Sequence, residues 1–517
     1  MGAQLLLIFM LFSLGAAQQA VVSVLFDPAT GNITTVEEKR VVGAVAWAEL
    51  KDSILENGWA VLEVQTNGTF NDSIQAYAAG VAEAAVTQRL IFMHWMNTMM
   101  GYCGPYKYQA TFCEKLRGYL EANLAWMQDE MEKGQDQEYW HQIHLALLQL
   151  KGLEDSYSGR ISFPQGKFHL NPFGFLLFQI GGDLEDLEPA LNKSEPKRVL
   201  GSGSCSALVK LLPGNKDLFV SHDTWNTYQS MLRIIKKYTF PFQMTQNGGP
   251  VVPGWVQTFS SYPGTIFSGD DFYLLSSGLV TLETTIGNSN DALWKYIKPQ
   301  DSVMEWLRNI AANRLATGGQ EWASIFKKFN SGTGMVAVAD KSDVLYKTGY
   351  WASYNVPYFQ EVFNASGLPA LVEKFGDWFT YDKTPRALIF QRDHSKVKDM
   401  ESMVKLMRYN DFLHDPLSRC SSCNPPENGE NAISARSDLN TVNGTYPFGA
   451  MRQRQHGGTD MKLTSYEMAK KYEMVVVNGP TWDQVPPFQW STSPFSSLMH
   501  MGHPDLWKFS PITIRWH

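Results

Sequence analysis

The chain has 517 residues, of which 44% are hydrophobic and 13% aromatic, while only 18% are charged. An average soluble protein carries about 25% charged residues, so this composition indicates a compact core and excludes a disordered chain or a coiled coil. The 44 Lys and Arg against 51 Asp and Glu give a formal charge of -7, which offers no basic surface for nucleic acid. At roughly 150 residues per domain, the length fits about three domains or one large layered domain.

Residues 1–17 predict a secretory signal peptide. Leu5 to Leu14 are almost wholly apolar, and Gly15-Ala-Ala17 supplies the small residues that a signal peptidase requires. The residues before this run include no Lys or Arg, which departs from the usual pattern. A membrane-spanning helix needs about 20 apolar residues, and every later apolar run is soon broken by Gly, Pro or charge. We therefore expect a mature chain that begins at Gln18 and has no stable insertion in a membrane.

Six Asn-x-Ser/Thr sequons agree with passage through the secretory pathway, where such sites receive N-linked glycans on exposed loops. They are Asn32, Asn67, Asn71, Asn192, Asn364 and Asn443. Sequons also arise by chance, so we expect about half of them to be unused. The expected compartment is a lumen or the cell exterior.

Five cysteines occur, and an odd number leaves at least one thiol unpaired in an oxidising compartment. Cys103 and Cys113 flank a Gly-Pro turn, and Cys420 lies just before Cys423, so each pair can close a short loop. The alternative for Cys420-Ser-Ser-Cys423 is half a zinc site or a redox dithiol, but no second Cys-x-x-Cys or His pair follows at ligand spacing. We predict disulfides within both pairs, which leaves Cys205 free.

The hydrophobic pattern changes from helical to strand-like near residue 204. After a strand-like stretch at 42–64, residues 74–191 carry apolar positions at helical spacing. A polar segment then ends in a flexible Gly-Ser joint. Beyond it we predict a hairpin of strands 206–212 and 218–224, a helix at 228–238, and further strands at 257–261, 272–285 and 335–339.

The predicted hairpin places Cys205 near a histidine. If Leu212 faces Asp217, paired residue numbers sum to about 429, so Cys205 lies beside residues near 224. His222 and Trp225 are then its neighbours, but a register slip of one residue leaves the choice of face open. A Cys next to a His is a nucleophile arrangement. The alternative for a lone Cys is a buried thiol that packs as a small hydrophobic residue.

Two glycines before Cys205 favour the nucleophile hypothesis. Gly201 and Gly203 tolerate strained backbone angles, so the turn can present the Ser204 carbonyl to the Cys205 thiolate. Attack there gives a thioester, and its hydrolysis frees Cys205 as a new chain end. The new α-amine, with an ordinary pKa of about 8, can then act as general base for its own thiol. From these residues alone, a cut between Ser204 and Cys205 and a buried, unreactive thiol both remain open.

Short motifs typical of one protein family are spread along the chain. They are Gly201-Ser-Gly-Ser-Cys-Ser-Ala-Leu-Val-Lys210, His222-x-x-Trp225, Phe259-Ser-Ser-Tyr-Pro-Gly264, Asp270-Asp-Phe-Tyr273, Asn330-Ser-Gly-Thr333, Tyr350-Trp-x-Ser-Tyr-Asn355, Pro385-Arg386, Met407-Arg-Tyr-Asn410 and Gly479-Pro-Thr-Trp-Asp-Gln-Val-Pro-Pro-Phe-Gln-Trp490. Together they resemble the phospholipase B-like family over nearly the whole mature chain. The resemblance implies the lysosome lumen, reached through the secretory pathway, or secretion.

The resemblance implies an α+β fold of the N-terminal-nucleophile hydrolase class. In that fold two stacked sheets lie between helical layers, as a four-layer αββα sandwich, here with helical additions at the N-terminus. One precursor would be cut into residues 18–204 and 205–517, which stay associated as one intertwined domain. The first piece is expected to be largely helical with some strands, and the second to carry Cys205 as nucleophile and most of the sheet.

The resemblance also implies roles for single residues. His222 and Trp225 would line the substrate pocket. Thr285 and Asn355 would border the nucleophile, and the side-chain amide of Asn355 would donate to an oxyanion. Arg386 would stabilise the thiolate or a substrate anion through its fixed charge. The alternatives are that Trp225 is a core residue, Thr285 an ordinary strand residue and Arg386 one half of a surface ion pair.

One stretch departs from the family pattern. Asn330-Ser-Gly-Thr333 continues in the family into Tyr-Asn-Asn-Gln and a further stretch of strand, whereas Gly334-Met-Val-Ala follows here at once. This departure puts part of the central sheet in doubt.

The leading functional hypothesis is a lysosomal hydrolase that cleaves acyl ester bonds of phospholipids through a Cys205 thioester. Hydrolysis of N-acyl amides is the alternative within the enzyme class, and a lipid-binding glycoprotein without turnover is the alternative outside it. The chain has neither the Gly-x-Ser-x-Gly elbow of serine lipases nor the His-Glu-x-x-His of zinc hydrolases. His141 and His144 are expected on a solvated helix face. We expect no metal and no other cofactor.

Overall fold

The computed structural model describes residues 18–104, 107–194, 199–332 and 337–516. The predicted signal peptide and the predicted join between Thr333 and Gly334 lie outside these ranges. Among the residues that the structure describes, no helix combines the length and apolar character needed to cross a membrane.

The part before Ser204 contains strands followed by long helices. The strands are β1 (Gln18–Phe26), β2 (Ile33–Glu37), β3 (Ala46–Ser53) and β4 (Trp59–Thr66). The helices are α1 (Ile54–Asn57), α2 (Asp72–Thr98), α3 (Ala110–Lys133), α4 (Gln137–Tyr157), α5 (Leu176–Gln179) and α6 (Gly181–Ala190). The expected strand region at 42–64 and helical region at 74–191 are confirmed, whereas β1 and β2 were not predicted. The Asn71 side chain caps α2 by accepting a hydrogen bond from the Ser73 amide.

The part from Cys205 onward carries most of the strands. They are β5 (Cys205–Leu211), β6 (Leu218–Thr227), β7 (Arg233–Thr239), β8 (Gln243–Thr245), β9 (Gly248–Val251), β10 (Val256–Ser261), β11 (Phe272–Leu275), β12 (Val280–Leu282), β13 (Tyr350–Ser353), β14 (His456–Gly458), β15 (Asp460–Ser465), β16 (Met474–Asn478), β17 (Phe488–Gln489), β18 (Leu506–Trp507) and β19 (Ile512–Ile514). The helices are α7 (Glu305–Leu315), α8 (Gly319–Phe326), α9 (Ser342–Thr348), α10 (Gln360–Ala365), α11 (Leu368–Phe375), α12 (Pro385–Asp393), α13 (Met400–Met407) and α14 (Tyr466–Ala469).

Three expectations are wrong. The helix at 228–238 is replaced by strand β7, which is buried on both faces and therefore shows no polar alternation. Residues 337–339 form no strand, and the rest of the predicted strand at 335–339 lies outside the described ranges. In the N-terminal part, His141 is buried in α4 and lies 3.0 Å from the Asp72 carboxylate, so it does not lie on a solvated face.

Two large sheets organise the fold. The first has the strand order β12-β11-β10-β7-β4-β3-β1-β2, and the second has the order β13-β5-β6-β15-β16-β19, with β14 also paired to β6. Neighbouring strands in both are antiparallel except β4 and β7, which run parallel from Trp59 opposite Arg233 to Gln65 opposite Thr239. Because β4 precedes Ser204 and β7 follows Cys205, both parts of the chain contribute to the first sheet.

Apolar side chains join the sheets and the helices into layers. Trp59 and Phe272 of the first sheet pack with Val220 and Val476 of the second, so the two sheets face each other. Helices α2, α3, α4 and α7 share a core with the first sheet, and α12 and α13 share one with the second. The fold is therefore of the α+β class.

Both predicted disulfides are confirmed. Cys103 is bonded to Cys113, which ties the segment before α3 to the first turn of that helix. Cys420 is bonded to Cys423. Cys205 is the one cysteine with a free thiol, and it is buried.

Candidate functional site

The two strands around the free thiol pair in the register that the hairpin predicts. Cys205 lies opposite Thr224, and Leu211 lies opposite Leu218, so the paired numbers sum to 429. The other face of the hairpin carries Trp225, whose indole Nε1 donates to the Ile433 carbonyl oxygen, as the Ser206 hydroxyl does. Side chains alternate along a strand, so the Cys205 thiol faces away from this contact.

The turn before Cys205 fits only glycine at two positions. A Cβ at Gly203 would lie 2.7 Å from the Trp225 ring and 2.8 Å from Nη2 of Arg386. Gly201 has φ +79°, and a Cβ there would meet the Phe448 ring at 2.6 Å. Real Cβ atoms do not approach other atoms so closely, and a positive φ is strained for other residues. The sequence argument from these glycines therefore has a spatial basis.

The Ser204 carbonyl is held by a backbone amide. The Trp225 N–H donates to the Ser204 oxygen over 2.6 Å. Such a donor polarises a carbonyl and stabilises the negative charge that develops on its oxygen during nucleophilic attack. Trp225 thus contributes its backbone here, in addition to the ring that packs against Gly203.

The Asn355 side chain is oriented differently from the sequence expectation. Its Oδ1 accepts hydrogen bonds from the amides of Ser204 (3.1 Å) and Cys205 (3.3 Å). Its Nδ2 donates to the Thr285 carbonyl oxygen over 2.8 Å, so in this uncut chain the amide does not point at the Ser204 carbonyl. Asn355 has φ +68°, a conformation that Asn adopts more readily than most residues. It therefore holds the nitrogen side of the Ser204–Cys205 bond.

Arg386 lies on the carbonyl side of Cys205. It sits in the first turn of α12, which Thr384 caps. Its guanidinium donates to the Cys205 carbonyl oxygen and to the Ser206 hydroxyl, and it lies 4.2 Å from the Trp225 ring centre. Burial lowers the pKa of Arg386 to about 10, so it keeps its charge at neutral and acid pH.

The Cys205 thiol is only 4% exposed. Burial raises its pKa well above the ordinary value, and the nearby Glu283 carboxylate raises it further, while Lys462 acts in the opposite direction. The sulfur is therefore held as a neutral thiol, whereas the thiolate is the nucleophilic form of a cysteine.

His222 and Thr285 lie at different depths. His222 is fully buried, and its Nε2 lies 2.8 Å from the Glu283 carbonyl oxygen. Burial lowers the pKa of His222 well below its usual range, so it stays neutral. The Thr285 hydroxyl donates to the Glu283 carboxylate over 2.7 Å and lines the cleft described below. Glu283 thus connects both residues, and nothing in the sequence singled it out.

A buried charge network supports Thr224, the residue opposite Cys205. The Thr224 hydroxyl donates to Asp270 over 2.9 Å and accepts from Lys462 over 2.6 Å. Arg233 pairs with Asp270 (2.5 Å) and with Asp460 (2.9 Å), and Lys462 pairs with both carboxylates. Two cations and two anions balance, which allows these side chains to be fully buried. Asp270 belongs to a family-like motif, but its role was not predictable from sequence.

A cleft of about 1090 Å³ opens beside the thiol. Five of the six expected site residues line this cleft: Cys205, Trp225, Thr285, Asn355 and Arg386. The sixth, His222, is buried and does not line it. The lining of the cleft also includes the acidic residues Asp183, Asp271, Glu283 and Glu305. In the described ranges, no group of three or more His, Cys, Asp or Glu side chains is arranged to hold a metal ion.

Several named proteins are similar in sequence to nearly the whole chain. Phospholipase B-like 2 of Mus musculus is 61% identical over 527 aligned positions, which span 96% of this chain and 89% of that protein. Phospholipase B-like 1 of Caenorhabditis elegans is 41% identical, with 93% and 89% covered. Phospholipase B-like protein B of Dictyostelium discoideum is 34% identical, with 90% and 85% covered.

The alignments also bear on the expected missing stretch. The alignment with the mouse protein has 527 positions but contains only about 496 residues of this chain. About 31 positions are therefore gaps in this chain. The family model named Phospholipase B matches residues 46–336 and 333–514, and these two parts meet where the sequence departs from the family pattern. Both observations agree with a shortened stretch after Thr333. With more than half of its length matched by the family model, the chain belongs to the phospholipase B-like family.

Proposed function

We propose that this chain is a hydrolase of acyl ester bonds in phospholipids, which first cuts itself between Ser204 and Cys205. The observation that carries the proposal is the hydrogen bond from the Trp225 amide to the Ser204 carbonyl, directly before the free thiol. A polarised carbonyl and a thiol on adjacent residues are the two reactants of an acyl transfer from nitrogen to sulfur.

The self-cleavage takes two steps. The Cys205 Sγ loses its proton and attacks the Ser204 carbonyl carbon, while the Trp225 amide stabilises the oxyanion. The bond from this carbon to the Cys205 nitrogen then breaks, the nitrogen takes up the proton, and a thioester remains. Water hydrolyses the thioester, which leaves a Ser204 carboxylate and restores the Cys205 thiol.

The cut chain would use the same groups on an external ester. The new α-amine of Cys205 takes the thiol proton, and Sγ attacks the acyl carbonyl at the place that the Ser204 carbonyl held. The alcohol leaves with the proton, and water hydrolyses the acyl thioester to a fatty acid. Asn355 Oδ1, which accepts from the Cys205 amide now, is positioned to accept from the α-amine after the cut.

The fold supports an N-terminal-nucleophile mechanism. Two facing sheets with helices outside each are the layers that such a sandwich requires, and the nucleophile begins strand β5 of the second sheet. After the cut, β4 would belong to the N-terminal piece and β7 to the C-terminal piece. Their hydrogen bonds would hold the two pieces together in one sheet.

The substrate class rests on the relatives and the cleft. The family and its named relatives carry the term phospholipase B in their descriptions. A cleft of about 1090 Å³ is at the upper end of ligand pockets, which suits a molecule with an acyl chain and a headgroup.

The lysosome lumen is the compartment that we propose. Asn32, Asn71, Asn192, Asn364 and Asn443 are exposed, as glycan acceptors must be. Asn67 is half-buried.

The test measures fatty acid release from phosphatidylcholine vesicles at about pH 5, with an N-acyl amide as the second substrate. We expect release by the cut protein and none by Cys205→Ala, while a double Cys420→Ala, Cys423→Ala variant controls for loss of cysteines elsewhere. An acyl electrophile should label Cys205, and competing lipid should block the label. Hydrolysis of the amide alone would change the substrate class, and lipid binding without release or labelling would make the chain a lipid-binding glycoprotein.

A further inference from the structure

The turn from Gly201 to Ser204 holds its own shape only weakly, through one 3.3 Å hydrogen bond from the Ser202 hydroxyl to the Gly203 carbonyl. Glycine has the largest backbone freedom of any residue, and this turn has two glycines. Attack of a thiol on a neighbouring carbonyl requires the reacting atoms about 3 to 3.5 Å apart, and small displacements are costly. Groups outside the turn must therefore supply its rigidity.

The hydrogen bonds of Trp225 and Asn355 reach only Ser204, the last residue of the turn, and Cys205. They bind the Ser204 carbonyl and the Ser204 and Cys205 amides. Ser202 and Gly203 lie before these contacts and are held by a different pair of residues.

That pair is Glu430 and Arg454. Arg454 Nη1 donates to the Ser202 hydroxyl over 3.1 Å, and the Gly203 amide donates to Glu430 Oε1 over 3.5 Å. Arg454 Nη2 donates to Glu430 Oε2 over 3.1 Å, so the two side chains are joined to each other as well as to the turn. Ser202 and Gly203 therefore both contact the same ion pair, Ser202 through a 3.1 Å hydrogen bond and Gly203 through a longer one of 3.5 Å.

The pair is itself built into the structure. Glu430 is fully buried, and its Oε2 also accepts from the Ser437 hydroxyl. Arg454 donates to the Ala450 carbonyl over 3.3 Å, and the Ala450 amide donates to the Leu200 carbonyl over 3.1 Å. A buried ion pair contributes little net stability compared with apolar residues of similar volume. Its attachment to the turn is consistent with a role in geometry.

We propose that Glu430 and Arg454 are positioning residues for the self-cleavage: they hold Ser202 and Gly203 so that the Ser204 carbonyl stays within reach of the Cys205 thiol. This inference rests on the proposed self-cleavage and adds two residues to it. Neither takes part in bond making or breaking, so their loss slows formation of the thioester without changing where the chain is cut.

Ser202→Ala removes the hydroxyl that Arg454 holds, together with that hydroxyl's own bond to the Gly203 carbonyl, and leaves the ion pair of Arg454 and Glu430 intact. Ser156→Ala is its control, since that half-buried hydroxyl, like the Ser202 hydroxyl, donates to a carbonyl oxygen, here that of Val81 in α2. We expect Ser202→Ala to slow the first-order conversion of the full-length precursor into two pieces about 3- to 10-fold, the value of one hydrogen bond. Ser156→Ala should convert at the wild-type rate, and both should keep the wild-type melting temperature.

Arg454→Met and Arg454→Lys separate geometry from folding. Arg454→Met loses all contacts to Ser202 and Glu430. It should slow the cut about 100-fold, which is the effect of displacing a reacting group by about 1 Å. Lys can still donate one hydrogen bond to Ser202, so Arg454→Lys should recover part of the rate. Hydroxylamine, which cleaves thioesters, should not rescue Arg454→Met, because the defect precedes the thioester.

The outcomes distinguish the two proposals. If wild type is cut before Cys205 but Ser202→Ala and Arg454→Met are cut at the same rate, the positioning role is wrong and the self-cleavage stands. If wild type is not cut there, or Cys205→Ala is cut equally well, the self-cleavage and the positioning role both fail. If Arg454→Met does not fold, the Arg454→Lys rate decides: a rate below that of the wild type supports the positioning role, and an equal rate overturns it.

Discussion

The backbone amide of Trp225 donates to the Ser204 carbonyl oxygen over 2.6 Å, one residue before the free thiol of Cys205. The carbonyl that would be attacked is therefore already polarised in the uncut chain. Because nucleophile and target are neighbours in sequence, no second molecule is needed to bring them together. Under the proposed self-cleavage, the chain therefore holds both reactants itself.

The first prediction concerns the nucleophile. Cys205→Ala should leave a single chain, because no side chain can attack the Ser204 carbonyl. Cys205→Ser should cut slowly, since a hydroxyl is a weaker nucleophile than a thiol. Gel electrophoresis and N-terminal sequencing of the larger piece measure both, and the wild-type sequence should begin at Cys205. Normal cutting of the Ala variant, or a different start, would return Cys205 to a buried structural thiol.

The second prediction concerns the space around Gly203. Gly203→Ala should slow the cut strongly, because its Cβ would displace the Trp225 ring or the Arg386 guanidinium by several tenths of an ångström. Gly166→Ala is the control, since a Cβ there meets nothing within 4 Å. The readouts are the fraction of cut chain and the melting temperature. Cutting of the Gly203→Ala chain at the wild-type rate would contradict the close approach.

Several features of this site could be predicted because their signals are local. A short hairpin turn constrains the register, so Cys205 was expected beside residues near 224, and Thr224 is its partner. Nearby cysteines can reach each other over a short loop, so both disulfides were expected. Long segments with a helical period were expected as helices and are α2, α3 and α4.

Other features have no local signal. Strand β7 lies between β4 and β10 and is buried on both faces, so its apolar pattern resembles that of a helix. Lys462 and Asp270 meet across 192 residues, and Glu430 meets Gly203 across 227. Only the tertiary packing of distant segments brings such residues together. The direction of the Asn355 amide also depends on the distant Thr285 carbonyl.

The third prediction concerns the disulfides. Replacing Cys103 and Cys113 with Ser should lower the free energy of unfolding by about 2 to 3 kcal/mol, because the loop they close gains freedom in the unfolded chain. The same change at Cys420 and Cys423 should cost less, since that loop is shorter. Denaturant unfolding measures both. Peptide mapping without reduction provides the independent check, and a bridge to Cys205 would overturn the pairing and the nucleophile together.

The fourth prediction concerns pH and the carboxyl groups of the cleft. Burial raises the pKa of Glu305 to about 8, and repulsion from Asp183 and Glu283 adds to this effect while Arg308 opposes it. The folded chain then holds a proton that the unfolded chain releases near pH 4.5. The stability from this proton is fully present below pH 4.5 and is lost as the pH rises through 8.

Glu305→Gln should therefore raise the melting temperature at pH 8 and change it little at about pH 4.5, because the amide resembles the protonated acid at every pH. The exposed Glu121→Gln in α3 is the control and should change the melting temperature little at either pH. Calorimetry at several pH values between these limits measures the difference. An equal effect of Glu305→Gln at both ends would show that Glu305 has an ordinary pKa in the folded chain.

The last prediction concerns the stretch that is shortened after Thr333. Strand β12 ends the first sheet and β13 ends the second, and the shortened stretch lies between them in sequence. Ile286, Val338 and Tyr346, which lie between these strands in sequence, are exposed apolar side chains. Unpaired sheet edges with apolar neighbours favour association with other chains. The free energy lost with the strand pairing is comparable to the roughly 5 to 15 kcal/mol that holds a domain folded.

This chain should therefore be retained or degraded in the secretory pathway more than a version in which the corresponding stretch of the mouse relative is inserted after Thr333. Secretion from the same cells and the melting temperature of the purified proteins measure the difference, and a flexible Gly-Ser insert of equal length controls for chain length alone. Equal secretion and equal melting temperatures for the original and restored chains would show that the two sheets fold independently of the missing stretch.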